Sequence, residues 1–197
     1  MKNFVAGLAV ATLVSLSSGA AMAATLIDGS TQGLYNSGLG DLSKGAAPFL
    51  CANSDCGDVK LNYGPGDAGL IKDTLGANAN LGAWLNDPAN PGGTWSATPV
   101  AIPGSWTVNT ETAIIYAINA GATGLSNVMA SFGVDNGLFV WLNGVFLGGD
   151  VRPGGVVSGE FMLSLGTLGA GTNYLQILRE DHGGSTGYTV EVTGDVS

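Results

Sequence analysis

The sequence has few charged residues, and cations are the scarcest of them. Lysine and arginine together number 6 against 15 acidic residues, so the formal net charge is −9. Binding to a phosphate backbone needs lysine and arginine, because much of the affinity comes from counterion release. The composition therefore argues against nucleic acid and anionic membrane surfaces as partners.

Histidine occurs once, at His182, and this limits the catalytic chemistry. A hydrolytic triad needs a histidine beside a serine and an orienting carboxylate, but Ser185 lies on the same glycine-rich turn as His182 and no nucleophile-elbow motif occurs. A glycosidase needs two facing carboxylates, whereas the adjacent Glu180 and Asp181 would point to opposite faces of a strand. We expect a non-catalytic protein, with a hydrolase that uses an unrecognised site as the alternative.

Only the N-terminal hydrophobic run raises the question of a membrane. Lys2 precedes an apolar run over residues 4–16, and Ala21 and Ala23 are the small residues that signal peptidase accepts. The run is shorter than the roughly 20 residues that span a bilayer, which favours a cleaved signal peptide over a retained anchor helix. We predict a bacterial Sec-type signal peptide over residues 1–23 and a single secreted domain over residues 24–197, with no membrane insertion of the mature chain.

Cysteine occurs only twice, at Cys51 and Cys56. An exported chain reaches an oxidising compartment, where a disulfide is the usual state of a local cysteine pair. A two-cysteine metal site would need histidine or further cysteine ligands nearby, and the sequence has none there. We predict a Cys51–Cys56 disulfide that closes one small loop.

Glycine and short β-branched or aromatic runs are what the sequence has in abundance. It contains 33 glycines, and residues 112–195 hold about seven apolar runs separated by Gly, Asn and Asp, a spacing typical of a sandwich or barrel. Helical periodicity is almost absent, with at most one short helix within residues 67–87. The sequence predicts an all-β fold, an antiparallel β-sandwich.

The stretch FGVDNGLFVWLNGVFLGG, residues 132–149, places an apolar run between two Asx-Gly signals. A continuous apolar run is typical of a strand that is covered on both faces. The flanking Asn-Gly pairs, Asn136-Gly137 and Asn143-Gly144, tolerate the positive φ that hairpin turns require. We predict a buried strand over residues 138–142 with a turn at each end, and Trp141 in the core.

The same stretch resembles the Asp-Asn/Asp-Gly and Leu-Asn-Gly element of galactose-binding-like jelly-roll domains. Residues 168–194, LGAGTNYLQILREDHGGSTGYTVEVTG, resemble the ending of those domains. LYNSGLGD at residues 34–41 and AWLNDPANPGGTWSATP at residues 83–99 are similar to exported proteins related to the PEP-CTERM substrates. The resemblance covers most of the chain and implies a jelly-roll fold.

One feature of that family is missing from this sequence. The C-terminal Pro-Glu-Pro motif, apolar helix and arginine cluster are absent, since the sequence stops at GDVS. The resemblance then implies a protein that is released or bound non-covalently. Because the family is associated with biofilm and exopolysaccharide production, it also implies a role in the extracellular matrix.

Aromatic residues that flank a polar loop are the best route from this sequence to a ligand. An aromatic ring can stack on the apolar face of a sugar while Asn and Asp side chains bind its hydroxyls, and loops often carry binding residues. We predict weak polysaccharide binding by Trp84, Asn86, Asp87, Asn90 and Trp95. The alternative is that these tryptophans are core residues.

Calcium is the only metal that the sequence would suit, and no other cofactor is predicted. Calcium takes about six to eight oxygen ligands, often from Asp, Asn and loop carbonyls. Related jelly rolls often carry one structural calcium, although no EF-hand or calcium-binding repeat occurs in this chain. The candidate ligands, all at predicted strand ends, are Asp28, Asp135, Asn136 and Asp181.

Together these features predict a secreted, non-catalytic β-sandwich protein. Its expected partners are extracellular polysaccharide or biofilm matrix components, bound through weak carbohydrate contacts. The alternative is a structural or adhesive surface protein that binds its own copies or other proteins, for example through an edge strand.

Overall fold

The structure, a computed structural model, describes residues 22–42, 60–67, 78–152, 154–181 and 183–196. These residues form β-strands and one short 3-10 helix, Pro65–Asp67, and none of their helices is long and apolar enough to cross a membrane. The strands are β1 (Met22–Ile27), β2 (Gln32–Gly40), β3 (Leu61–Tyr63), β4 (Val100–Ala101), β5 (Glu111–Asn119), β6 (Leu125–Asp135), β7 (Gly137–Leu142), β8 (Val145–Val151), β9 (Phe161–Leu168), β10 (Thr172–Glu180) and β11 (Gly187–Val196).

The described strands pair into two antiparallel sheets. One has the order β1-β11-β6-β9 and the other the order β3-β8-β7-β10-β5-β2-β4. With β2, β3 and β4 set aside, eight strands remain, which can be counted from one to eight in chain order. Counted in this way, the first, eighth, third and sixth strands form one sheet, and the second, seventh, fourth and fifth strands form the other. This alternation between sheets is the jelly-roll arrangement of two Greek keys. The predicted all-β antiparallel sandwich of jelly-roll type is confirmed.

The main core lies between the two sheets and follows the two-residue period of the strands. Along β6, Ala130, Phe132 and Val134 are at most 1% exposed and point into this core, while Ser131 and Gly133 point to the outer face. We call this cluster the inter-sheet core. It contains most of the buried aliphatic side chains of the described residues.

Strand β7 is buried on both faces, as its sequence predicts. Leu138 and Val140 belong to the inter-sheet core, whereas Phe139 and Trp141 belong to a second apolar cluster on the outer face of the larger sheet. The predicted turn after β7 is also confirmed, because Asn143-Gly144 has positive φ at both positions (49° and 77°) and joins β7 to β8.

The turn before β7 differs from the hairpin-type turn that we predicted. β6 belongs to the smaller sheet and β7 to the larger one, so the chain crosses between sheets at Asp135-Asn136, whose peptide bond is cis. The Asn136 N–H donates to the Glu180 carbonyl (3.2 Å) and its own carbonyl accepts from the Arg152 N–H (2.8 Å). These bonds tie Asn136 to the last residue of β10 and to the residue after β8, so Asn136 does not close a hairpin.

Several predictions fall wholly or partly outside the described residues. These are the disulfide between Cys51 and Cys56, the position of His182 and most of the predicted signal peptide. One short helix was predicted within residues 67–87. Residues 78–87, the C-terminal part of that segment, form turns. Met22 and Ala23 pair with β11 at the start of β1, and the boundary between signal peptide and mature domain stays a prediction.

Candidate functional site

A loop formed by residues 78–99 covers part of the outer face of the larger sheet. Leu81 and Trp84 of this loop belong to the second apolar cluster, which we call the loop core. Trp84 is 2% exposed, and its ring centroid lies 5.1 Å from that of Trp141 and 5.8 Å from that of Trp95. The loop is therefore packed on the sheet through its own apolar side chains.

Two buried amide side chains hold the loop on the sheet. Gln176 of β10 donates from Nε2 to the Trp84 carbonyl (2.6 Å) and accepts from the Gly144 N–H (2.7 Å). Asn36 of β2 donates from Nδ2 to the Asn80 carbonyl (2.7 Å). Both amides are 0% exposed, and leaving such a buried group unpaired costs about 1–3 kcal/mol. The loop therefore has a defined position rather than several equivalent ones.

The two N-terminal segments that carry the family resemblance lie against each other. Tyr35 and Ser96 are 61 positions apart, yet the Tyr35 N–H donates to Ser96 Oγ (3.1 Å) and the Ser96 N–H donates to the Tyr35 carbonyl (2.9 Å). Thr94 Oγ1 also donates to Asn36 Oδ1 (3.0 Å). The two segments thus form one structural unit, the loop and the strand that anchors it.

The two tryptophans that we predicted to bind sugar have different positions. Trp84 is a core residue, so the prediction that its ring offers a binding face is wrong, because a ring 2% exposed cannot lie against a ligand. Trp95 is half-buried, and its Nε1–H donates to the Leu81 carbonyl (3.0 Å). Only Trp95 retains a surface that a ligand could reach.

The three polar residues of the predicted site are all exposed. The N–H groups of Asn86 and Asp87 both donate to the Ala83 carbonyl (2.7 Å each), which forms a tight turn. Asp87 Oδ1 accepts from the Asn90 N–H (3.2 Å). This bond joins Asn90 to Asp87, and the chain continues from Asn90 toward Trp95.

Two adjoining cavities form an open groove between the loop and the sheet. Their volumes are about 480 and 440 Å³, and they share Leu34, Ala89 and Ala97 as lining residues. We call the combined space the loop groove. It is lined by Gln32, Gly33, Leu34, Pro88, Ala89, Asn90, Pro91, Gly92, Gly93, Trp95, Ser96, Ala97, Pro99, Ile115, Ala117 and Tyr174.

The loop groove crosses three neighbouring strands of the larger sheet. Leu34 of β2 pairs with Ile115 of β5, and Ala117 of β5 pairs with Tyr174 of β10. Neighbouring strands are about 4.8 Å apart, so the floor is roughly 10 Å wide across β2, β5 and β10. The exposed methyl group of Ala117 leaves this floor open to solvent.

Each half of the groove has one partly buried aromatic residue, Trp95 in one and Tyr174 in the other. The Tyr174 backbone is fixed by Asn143, since its N–H donates to Asn143 Oδ1 (2.8 Å) and its carbonyl accepts from the Asn143 N–H (2.8 Å). Gln32 and Asn90 add neutral amide groups to the lining. Sequence reasoning missed Tyr174, because a single tyrosine in an apolar strand has no motif around it.

Three of the four candidate calcium ligands lie near one another at one end of the sandwich. Asp135 and Asn136 join β6 to β7, and Asp181 follows β10, whose last residue pairs with the first residue of β7. Each is at most 5% exposed. Asp135 Oδ2 accepts from the Ser185 hydroxyl (2.7 Å), and Asp181 Oδ2 accepts from the Asn109 N–H (2.8 Å).

Asp28 does not belong to that group, so its assignment to a shared calcium site is wrong. It follows Ile27, which pairs with Val192 of β11, whereas Asp135 pairs with Gly187 of the same strand. Those partners are five residues apart along β11, or about 16 Å. The Asp28 carboxylate accepts hydrogen bonds within its own exposed turn, foremost from the Ser30 hydroxyl (2.7 Å), and these lower its pKa.

The remaining acids give only a partial set of metal ligands. No group of three or more His, Cys, Asp or Glu side chains in the described ranges is arranged to hold a metal ion. Asp150, which pairs with Leu138 at the same end, forms an ion pair with Arg152, and burial raises the pKa of its carboxyl. A calcium ion here would need backbone carbonyls and water beside Asp135, Asn136 and Asp181, and its binding stays a prediction.

A buried arginine lies in the strand that leads to this end. Arg179 is 0% exposed, and its guanidinium carbon lies 4.3, 4.8 and 5.4 Å from the ring centroids of Trp106, Tyr188 and Tyr35. Its Nη1 donates to the Pro103 carbonyl (2.8 Å). Burial lowers the pKa of the guanidinium, while the ring faces stabilise its charge. Because the cage is closed to solvent, we assign Arg179 a structural role.

The strand order and the groove define the protein as a jelly-roll β-sandwich with an open, aromatic-lined groove on its larger sheet. No family model matches the chain, and no curated protein matches it. Two solved structures share some of its shape at 15% identity and a TM-score of 0.33: the PA14 sugar-binding domain from an RTX adhesin and the PA14 domain of the MpAFP antifreeze protein. The first match covers 84% of this chain and 91% of that chain, and the second covers 83% and 81%.

Proposed function

We propose that the protein is an exported, non-catalytic carbohydrate-binding protein that associates with extracellular polysaccharide or biofilm matrix through the loop groove. The observation that carries this proposal is the groove itself, with cavities of about 480 and 440 Å³ and an accessible aromatic residue in each half. Trp95 and Tyr174 can bury the apolar face of a sugar ring while Asn90 and Gln32 bind its hydroxyls.

Binding at such a site is expected to be weak. Each hydrogen bond to a sugar hydroxyl replaces one to water and contributes only about 0.5–1.5 kcal/mol. The exposed Ala89, Ala97 and Ala117 along the groove leave one side of the ligand in solvent. Retention on a polymer that offers many sites is therefore a more sensitive assay than binding of a single free sugar.

Affinity electrophoresis against the producing cell's own exopolysaccharide tests the proposal. We expect the polysaccharide to retard the protein, Tyr174→Ala to weaken this retardation and Tyr174→Phe, which keeps the ring, to preserve it. Val145→Ala is the control, because Val145 is 63% exposed at the end of the β7–β8 turn and does not line the groove. Equal mobility of the wild type with and without polysaccharide would contradict the proposal.

The non-catalytic part of the proposal rests on the single histidine and on the lack of a recognisable nucleophile motif in the sequence. Prolonged incubation with the bound polysaccharide should release no new reducing ends. Steady release that scales with protein concentration would instead identify a hydrolase.

The proposal includes one structural calcium at the Asp135, Asn136 and Asp181 end, supplied by side-chain and backbone oxygens. Thermal melting with added calcium and with a chelator tests this part separately from sugar binding. Calcium should raise the melting temperature of the wild type more than that of Asp135→Asn. Identical melting in calcium and in chelator would remove calcium from the proposal.

Self-association is the second candidate function, and the edge strand β9 favours it. β9 is the last strand of its sheet among the described residues, and its sequence FMLSLGTL contains no charged residue and no proline. Uncharged edge strands can pair with another chain. Sedimentation at rising concentration would show association that Ser164→Lys abolishes, whereas a concentration-independent monomer would exclude this candidate.

A further inference from the structure

We propose that the loop groove binds an uncharged glycan along the middle of its chain, across β2, β5 and β10, and that it rejects anionic polysaccharides. This inference rests on the proposed function of the groove, and it narrows the ligand from polysaccharide in general to one chemical class. The charges around the groove, its two-part shape and its polar groups each support it.

The first support is the distribution of charge. No residue that lines the groove carries an ionised side chain, within the part of the chain that the structure describes. Among the described cations, Arg152 is paired with Asp150, Arg179 is enclosed by aromatic rings, and Lys60 precedes β3, at the edge of the sheet opposite β4. An anionic chain would lose hydration in the groove without meeting any of these described cations.

The acidic balance of the protein adds to this selectivity. The net charge of −9 opposes the approach of any polyanion. At the groove itself, the exposed Asp87 directly precedes the lining residue Pro88. A neutral chain meets neither of these repulsions, so its affinity should also be nearly independent of salt concentration.

The second support is the shape of the groove. Its two cavities share Leu34, Ala89 and Ala97, and each has its own aromatic residue, Trp95 or Tyr174. Two aromatic positions in one continuous groove suit two or more successive sugar rings rather than one terminal sugar. Residues small enough to leave the floor open, such as Ala117, allow a chain to lie across the strands.

The third support is the kind of polar group that the groove offers. Gln32 and Asn90 provide amides, which both donate and accept hydrogen bonds. Ser96 Oγ accepts from the Tyr35 N–H, which leaves the Ser96 hydroxyl hydrogen to donate elsewhere. Groups of this kind match the hydroxyls of a neutral sugar, which donate and accept in the same way.

Calorimetric titration of the purified protein tests the inference, with a neutral glucose-based series from monosaccharide to long oligosaccharide and a uronate series of matched length. We expect affinity to rise with neutral chain length, to stay unchanged at high salt and to be absent for the uronates. Tyr174→Ala should weaken oligosaccharide binding by about tenfold, while Val145→Ala, at an exposed position outside the groove, should bind like the wild type.

A charge placed in the groove gives a sharper comparison. Ala117→Glu should abolish binding of the neutral oligosaccharide, because it adds both bulk and charge to the floor. The matched control is Thr189→Glu, at an exposed position on β11 in the other sheet, and it should bind normally. Melting curves of both variants establish that they are folded.

The outcomes separate the inference from the proposed function. Uronate binding as tight as that of the neutral series, or tighter, would overturn the neutral-chain inference while carbohydrate binding stands. Equal affinity for a monosaccharide and a long chain would overturn the mid-chain part. Failure to bind any sugar would overturn both the inference and the proposed function.

Discussion

The two apolar cores of this protein are built by different means. In the inter-sheet core, alternate residues of long strands meet across the sandwich, and ladder hydrogen bonds satisfy the backbone. In the loop core, residues 78–99 have no regular strand of their own, so the amides of Gln176 and Asn36 bond their backbone instead. The inter-sheet core therefore holds the domain together, and the loop core positions the groove.

This difference implies different consequences of mutation. Strand residues of the inter-sheet core contact both sheets, so their loss should weaken the whole domain. Trp84 and the other loop residues of the loop core hold one segment, so their loss should first release the loop and its groove. Three of the predictions below test this division and a fourth tests the pH dependence of stability, from the largest expected effect to the smallest.

Phe132→Ala should have the largest effect on global stability. Phe132 is 0% exposed in the inter-sheet core, with its ring centroid 6.1 Å from that of Phe161. Removing a buried phenylalanine ring lowers the free energy of unfolding by about 3–5 kcal/mol, which urea denaturation measures. Met162→Ala is the control, since Met162 is 63% exposed on the neighbouring strand. Equal stability of the two variants would contradict the placement of Phe132 in the inter-sheet core.

Trp84→Ala should lower the free energy of unfolding by about 3 kcal/mol and should abolish polysaccharide retention. Amide hydrogen exchange should then become fast in residues 78–99 while β6 and β11 stay protected, because only the loop loses its anchor. A variant that keeps a protected loop and normal retention would show that Trp84 does not support the groove.

Gly93→Ala should disturb the loop more than Gly92→Ala does. Both glycines have positive φ (68° and 67°), so an alanine at either position costs about 1–2 kcal/mol in backbone strain. A Cβ at Gly93 would also overlap the Asn80 carbonyl oxygen, whereas one at Gly92 meets nothing within 4 Å. Thermal melting and retention should therefore fall further for Gly93→Ala, and equal losses would refute the packing of residue 80 against residue 93.

The pH dependence of stability should carry a small signature of Asp150. Burial raises the folded-state pKa of its carboxyl above the ordinary 3.8, so the native protein keeps this proton at pH values where the unfolded chain has lost it. The free energy of unfolding should therefore fall as the pH rises from 3.8 through that raised pKa. In Asp150→Asn, this fall in the free energy of unfolding with rising pH should be absent.

Asp28 provides the control of opposite sign for this titration. Hydrogen bonds from Ser30 and Thr31 lower its pKa below 3.8, so its contribution to stability is present above that pH and is lost as the pH falls through the lowered value. Asp28→Asn should remove that acid-side loss. The variants are compared by their urea midpoints, measured from pH 2 to pH 7. If the midpoints of Asp150→Asn and Asp28→Asn both depend on pH as those of the wild type do, these assignments are contradicted.

The sequence predicted the inter-sheet half of the molecule well. Periodicity and turn chemistry are local properties, so the apolar run at residues 138–142 and the Asn143-Gly144 turn could be read directly. The crossing at Asp135-Asn136 could not, because an Asx-Gly signal marks a turn without saying to which sheet the next strand belongs.

The candidate site was predictable only in part. The polar segment between Trp84 and Trp95 drew attention to the right loop, but its sequence could not reveal that Trp84 faces inward onto Trp141. Tyr174 joins the groove through pairing with Ala117, a contact between distant segments. Such contacts depend on strand order, which one sequence does not reveal.

Chemical-shift mapping of the backbone amides during titration with a neutral oligosaccharide tests the central claim most directly. If the loop groove binds the glycan, the largest shifts should cluster at Ala97, Ala117 and Tyr174, with little change at the Asp135–Asn136 end. Shifts that cluster at Asp135, Asn136 and Asp181 while the groove residues stay unchanged would contradict the account.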